Sequence, residues 1–128
     1  IGSITMGAGG TAFNTSSDYR RKENVVDLTN AITRLKTLLP KRFNFIGDSS
    51  VTRDGFLAHE VTAVPEAITG TKDEVYTEDQ PDRNIKAGDP KYQGIDQSKL
   101  VPLLTAALQE AITKIETLET KVAALEGG

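Results

Sequence analysis

Side chains able to do chemistry are sparse in this sequence, and several crowd into one short stretch. Residues 17–24 read Ser-Asp-Tyr-Arg-Arg-Lys-Glu-Asn, a dense polar block. A serine hydroxyl is a poor nucleophile until a base takes its proton. The chain has a single histidine, His59, and no Ser/His/Asp set is apparent; lysine is an accepted alternative base. Ser17 and Lys22 lie five positions apart, and on spacing alone that pair assigns no role. Five residues of extended strand span roughly 16 Å, and positions five apart are poorly aligned on an α-helix. A partnership between them needs either a turn between Ser17 and Lys22 or a Lys22 brought by a neighbouring copy. A lysine base must also lose its proton near neutrality, from an ordinary pKa of about 10.4. Burial and the like charges of Arg20 and Arg21 favour that loss, whereas Asp18 and Glu23 oppose it. The run Arg20-Arg21-Lys22 reads equally well as a solvated face.

Composition excludes several other chemistries. Without cysteine there are no disulfides or thiolate metal sites, and the redox compartment stays open. One histidine is too few for the usual zinc ligand sets, so no metal and no cofactor are expected. The net charge of -3 argues against a nucleic-acid partner, which normally meets a basic face. No apolar run approaches the roughly 20 residues that span a bilayer, so no membrane partner is expected. A chain of 128 residues suffices for one modest domain. With aromatic residues at 5% and no Trp, its core should be thin, and part of the apolar surface is expected to be buried between subunits. The opening Ile1-Gly2-Ser3-Ile4-Thr5 lacks an initiator Met and a basic n-region, and reads as the cut end of a longer protein.

The elements that must position these residues differ along the chain. Residues 1–16 are rich in Gly, Ser and Thr; they suit a flexible linker or, from the Ile4/Met6 alternation, a strand that pairs only in an assembly. Residues 25–70 suit a compact α+β unit. Leu28, Ala31, Ile32, Leu35, Leu38 and Leu39 recur at helical spacing, with Asp27 as N-cap and Pro40 as stop. Arg42 to Ile46 reads as a strand entering a turn at Gly47-Asp48, and Gly55 to Ala58 as its return. His59 to Val64 suits one or two helical turns closed by Pro65. Residues 69–97 are polar with little periodicity, which suits either disorder or an arm that packs outside the chain's own core.

The C-terminal helix carries the clearest pattern. Val101, Leu104, Leu108, Ala111, Ile115, Leu118, Val122 and Leu125 follow alternating steps of 3 and 4, an unbroken heptad seam. Lys114 and Lys121 occupy g positions, facing Glu119 and Glu126 at the e positions of the following heptads in a parallel assembly. From Leu100 to Ile112 an ordinary amphipathic helix remains open, because Leu103, Ala107 and Ile112 add apolar surface off the seam. From Thr113 onward only the seam is apolar, and self-association is the better reading. β-branched a positions with Leu at d favour two strands, so the seam alone does not specify three.

The block from Ala12 to Val25, opening Ala-Phe-Asn-Thr-Ser-Ser-Asp-Tyr-Arg-Arg-Lys-Glu-Asn, resembles the start of the intramolecular chaperone domain of phage endosialidases, tailspikes, tail fibres and neck appendages, the S74 peptidase family. Further matches follow in order: Phe43-Asn44-Phe45, Gly55 to Val61, Val64 to Ala67, and Ile95 to Leu104 with the heptads after it. Arg21 stands where the family often has Leu, and His59 where it often has Gln. The resemblance covers about residues 12 to 126. It implies an α+β fold with an N-terminal strand segment, a helix and small antiparallel sheet over 17–68, an extended arm over 69–97, and a helix over 98–126 in a parallel trimeric coiled coil.

For function, the resemblance implies a homotrimer that helps a β-rich fibre, the preceding part of the same polypeptide, to fold in the host cytoplasm during phage assembly. The domain over 17–128 is then released from the fibre ending at residue 16. It implies Ser17 as nucleophile, Lys22 as base and Ser16–Ser17 as the scissile bond. His59 or Glu60 could assist by positioning water, beside a purely structural reading for the histidine. Two other functions stay open: a trimerisation cap that never cuts, and a receptor-binding tip in which residues 69–97 meet a host surface.

Overall fold

The computed structural model describes residues 2–7 and 10–127 of the chain. Among these residues the fold is α+β, with three separate two-stranded antiparallel sheets, a short helix and one long C-terminal helix. The first sheet precedes the polar block. Strand β1 (Gly2–Gly7) pairs with β2 (Gly10–Thr15), with Ile4 opposite Phe13 and Met6 opposite Thr11. The alternating segment thus finds its pairing partner within the chain, where either a flexible linker or a strand paired only in an assembly was expected.

Helix α1 is shorter than its apolar periodicity predicts, spanning Ala31–Leu35 rather than about 28–39. Asn30 explains the late start, because its φ of 60° is left-handed and cannot belong to the helix. The expected N-cap, Asp27, is therefore three residues outside. The N–H of Ala31 instead donates to Glu110 Oε2 at 2.6 Å, a cap supplied from the other end of the fold. At the far end Pro40 disfavours helical geometry at Leu39, and the chain leaves extended.

Strands β3 (Lys41–Phe43) and β4 (Arg53–Gly55) form the second sheet, with Phe43 opposite Arg53 and Lys41 opposite Gly55. Both are shifted toward the N-terminus of the expected spans, so Phe45 and Ile46 lie in the connecting loop. A Cβ on Gly55 would sit 3.0 Å from the Phe43 ring, so glycine leaves room for the ring beside the strand. Two 3-10 turns follow, at Ala58–Glu60 and Pro65–Ala67. Pro65 opens the second turn instead of closing the first; a first turn tolerates its missing N–H.

The core is thin, as composition suggests. Ala31, Leu38, Val61, Val64, Ala67, Leu100, Leu103 and Ala107 are buried together, and Leu103 is the largest side chain fully enclosed. Arg34 adds a tie by donating from Nη2 to the Ala63 carbonyl at 2.6 Å.

Residues 69–97 are ordered as an irregular antiparallel excursion. Strand β5 (Ile68–Thr69) pairs with β6 (Gly94–Ile95), and bridges join Val75 to Pro90 and Gln80 to Ile85 further out. A 3-10 turn at Pro81–Arg83 closes the tip. Backbone bonds such as Lys91 N–H to the Glu74 carbonyl, 2.8 Å, fill the ladder between them. These pairings supply the order that hydrophobic periodicity could not signal.

Asp96 then caps a 3-10 turn at Gln97–Leu100, which leads straight into α2 (Val101–Glu126). The first turns of α2 pack on α1 through Leu103 and Ala107. From Ile112 to Gly127 every residue is exposed. The heptad seam lies on a different face from Leu103, about 100° round the helix. Leu104, Leu108, Ile115, Leu118 and Val122 all stay exposed there, along a shallow groove at Ile115, Leu118 and Val122.

Candidate functional site

The polar block folds into one tight turn, and its own side chains build it. Asp18 is extended, and its Oδ1 accepts the Arg20 N–H at 2.9 Å. That bond starts a 3-10 turn at Tyr19–Arg21, held by Arg21 N–H to the Asp18 carbonyl and Lys22 N–H to the Tyr19 carbonyl, both 3.1 Å. Lys22 returns to extended geometry. The reversal carries its ammonium back, and Lys22 Nζ donates to Ser17 Oγ at 2.8 Å. Of the two arrangements open to this spacing, the single chain adopts the turn.

Arg20 pairs with the acid that follows Ser17. Its guanidinium grips Asp18 at two points, Nε to Oδ1 at 3.0 Å and Nη2 to Oδ2 at 2.8 Å. These bonds, with the Arg20 backbone N–H, hold the Asp18 carboxyl below its ordinary pKa. Among the described residues no carboxylate lies within ion-pair distance of Lys22. Residues 16–30 are all exposed, so the site lies open to solvent in the single chain. Ser16 sits between the last paired residue of β2, Thr15, and the turn that begins at Asp18.

His59 and Glu60 lie elsewhere in the hydrogen-bond pattern. Both belong to the 3-10 turn at Ala58–Glu60, and among the described residues neither bonds to Ser17 or Lys22. His59 is exposed beside the base of the arm, in a cleft shared with Glu74, Lys91 and Tyr92. Glu60 is half-buried, and its Oε1 is enclosed without a hydrogen-bond partner. Among the described residues no group of three or more His, Cys, Asp or Glu is placed to hold a metal. No helix there is long and apolar enough to cross a membrane.

Two residues escaped the sequence reading. Glu110 drew no reading from the sequence, and only the packing of α1 against α2 makes it a cap. Arg20 looked like part of a basic run; an aspartate two residues before it, able to bond that backbone N–H, was the signal available.

Residues 17–69 match the family model Peptidase S74, described as chaperone of endosialidase. The match opens at Ser17 and closes at the end of β5, narrower than the ordered motifs over 12–126. Over residues 17–69 the chain is thus similar to that chaperone family. No curated protein matches the chain.

Proposed function

We propose that this chain is the self-releasing chaperone of a trimeric phage fibre or tailspike, cut from its partner at Ser16–Ser17. The observation that carries this reading is the 2.8 Å bond from Lys22 Nζ to Ser17 Oγ, at the first residue of the family match. In the reacting form Lys22 is neutral and accepts the hydroxyl proton. Ser17 Oγ bonds to the carbonyl carbon of Ser16, and the bond from that carbon to the Ser17 nitrogen breaks. Lys22 returns the proton to the departing amine. Water then hydrolyses the ester between Ser16 and Oγ, leaving a carboxylate on Ser16 and a free amino terminus on Ser17.

The neutral form of a lysine is favoured by burial, and residues 16–30 are exposed in the single chain. Neighbouring copies covering this segment would supply the missing burial, so cleavage would wait for assembly. Assembly runs through the α2 seam in this reading, supported by the exposure of its leucines and by the poor stability of short helices alone in water. The number three comes from the family resemblance. Residues 1–16 are then the end of the fibre, 17–68 the chaperone core, 69–97 an arm and 98–126 the coiled coil. Its place of action is the host cytoplasm during assembly, and its partner the fibre of the same polypeptide.

The test is to follow the chain by intact-mass spectrometry and sedimentation velocity. The expected products are a trimer and a fragment beginning at Ser17, with Ser17→Ala remaining full length. A trimer that yields no fragment from either chain would make this a permanent cap and end the autoproteolytic reading.

A further inference from the structure

The base of the arm holds a cleft of about 270 Å³, and no residue of the Ser17–Lys22 turn lines it. Its walls are fixed by backbone bonds: the Lys91 N–H donates to the Glu74 carbonyl at 2.8 Å, and the Glu74 N–H to the Thr71 carbonyl at 3.2 Å. Its charges are matched in place. Lys72 pairs with Asp73 at 3.0 Å and Lys91 with Glu74 at 3.3 Å. A ligand carrying net charge would find its counter-charge already engaged, so the cleft suits a neutral one.

Hydrogen-bonding capacity remains after those pairs are made. The Glu74 carboxylate offers about four acceptor sites, and the Thr71 N–H and Lys91 take two of them. One N–H of the Gln93 amide donates to the Gly70 carbonyl at 3.4 Å, which leaves its second N–H and its oxygen. His59 adds an exposed ring able to donate and accept. A hydroxyl also does both, so neighbouring hydroxyls match this mixture of groups. Tyr92 supplies a flat apolar surface, 85% exposed. We propose that this cleft binds a neutral pyranose sugar, free or as one residue of a glycan. Tyr92 lies against its C–H face, and Glu74, Gln93 and His59 meet its hydroxyls. Small-molecule sites span about 300–1,000 Å³, and a cleft at the lower end of that range takes a single ring. The proposal stands independently of cleavage at Ser17.

The test titrates the isotope-labelled chain by NMR with glucose, galactose, mannose and N-acetylglucosamine, each free and as its methyl glycoside. At least one sugar should shift the amides of Thr71 to Glu74 and Lys91 to Gln93 saturably, with a Kd on the order of millimolar, as a small open site allows. A methyl glycoside that binds equally well marks a glycan residue as the ligand, and one that fails marks the free sugar. Tyr92→Ala should weaken binding about tenfold, with amides outside the cleft unmoved. Tyr19→Ala, at another tyrosine 80% exposed, should leave binding unchanged. Amides that stay still with every sugar up to about 100 mM overturn the inference. So does a Tyr92→Ala chain that binds like wild type, or inorganic phosphate that moves the same amides at lower concentration than any sugar.

Discussion

Lys22 Nζ reaches Ser17 Oγ at 2.8 Å although the residues are five positions apart, because a three-residue 3-10 turn reverses the chain between them. Side-chain identity and turn length are therefore separable requirements. Lys22→Met should slow release of the 1–16 peptide by about 10²–10⁴-fold, the usual contribution of a positioned base. Lys22→Arg should fare no better, since a guanidinium stays protonated. A glycine inserted between Arg20 and Arg21 should cause a similar loss with both residues still present. Timed mass spectrometry reads all three, and an inserted chain that cuts at the wild-type rate would show the turn to be irrelevant.

Leu103 and Leu104 are neighbours that belong to different surfaces, 1% and 46% exposed. Leu103→Ala should destabilise the body by about 2–5 kcal/mol, the range for emptying a buried leucine site. Leu118, 59% exposed on the seam, should behave in the opposite way. Leu118→Asp should leave the body's thermal melt intact at low concentration and abolish self-association in sedimentation velocity. An unchanged oligomer in that variant would move the interface off the seam.

Glu110 links the two helices through one bond, its Oε2 accepting the otherwise unpaired N–H of Ala31, itself fully buried. Glu110→Ala leaves that donor unpartnered and should cost about 1–3 kcal/mol in urea denaturation. Glu110→Gln keeps an acceptor and should cost less.

Acid should loosen the base of the arm. Glu74 is held below its ordinary carboxylate value of 4.5, first by the Thr71 N–H and then by Lys91. A depressed folded-state value gives a contribution that is complete above 4.5 and lost as pH falls through the lower folded-state value. Amide exchange at Thr71 should therefore accelerate below that pH. Glu74→Gln should remove most of the pH dependence, and a wild-type amide indifferent to acid would count against the contact.

The sequence made the long helix legible because α2 repeats one pattern over many turns, and repetition survives local exceptions. Helix α1 was legible as an element and not in its bounds, since the left-handed Asn30 interrupts an apolar pattern that continues through it. The excursion over 69–97 was opaque because backbone pairing, with little buried apolar surface, orders it. At the candidate site, residue types carried a family resemblance, and spacing left a turn and a neighbouring copy both open. The Asp18–Arg20 grip depends on geometry two residues long, below the resolution of any periodicity.

Ser16 stands between a finished strand pair and a turn that closes on itself, and among the described residues the hydrogen bonds of the strand pair and of the turn do not cross the bond after it. Severing that bond would leave the backbone pairing of both intact. It would change the concentration each half experiences: one chain keeps its two halves at a high effective concentration, and two chains meet only at their bulk concentration. Contacts tight enough to guide folding within one molecule can be too weak to hold two together. In the proposed reading, dilution would then make departure from the folded fibre irreversible without an energy source.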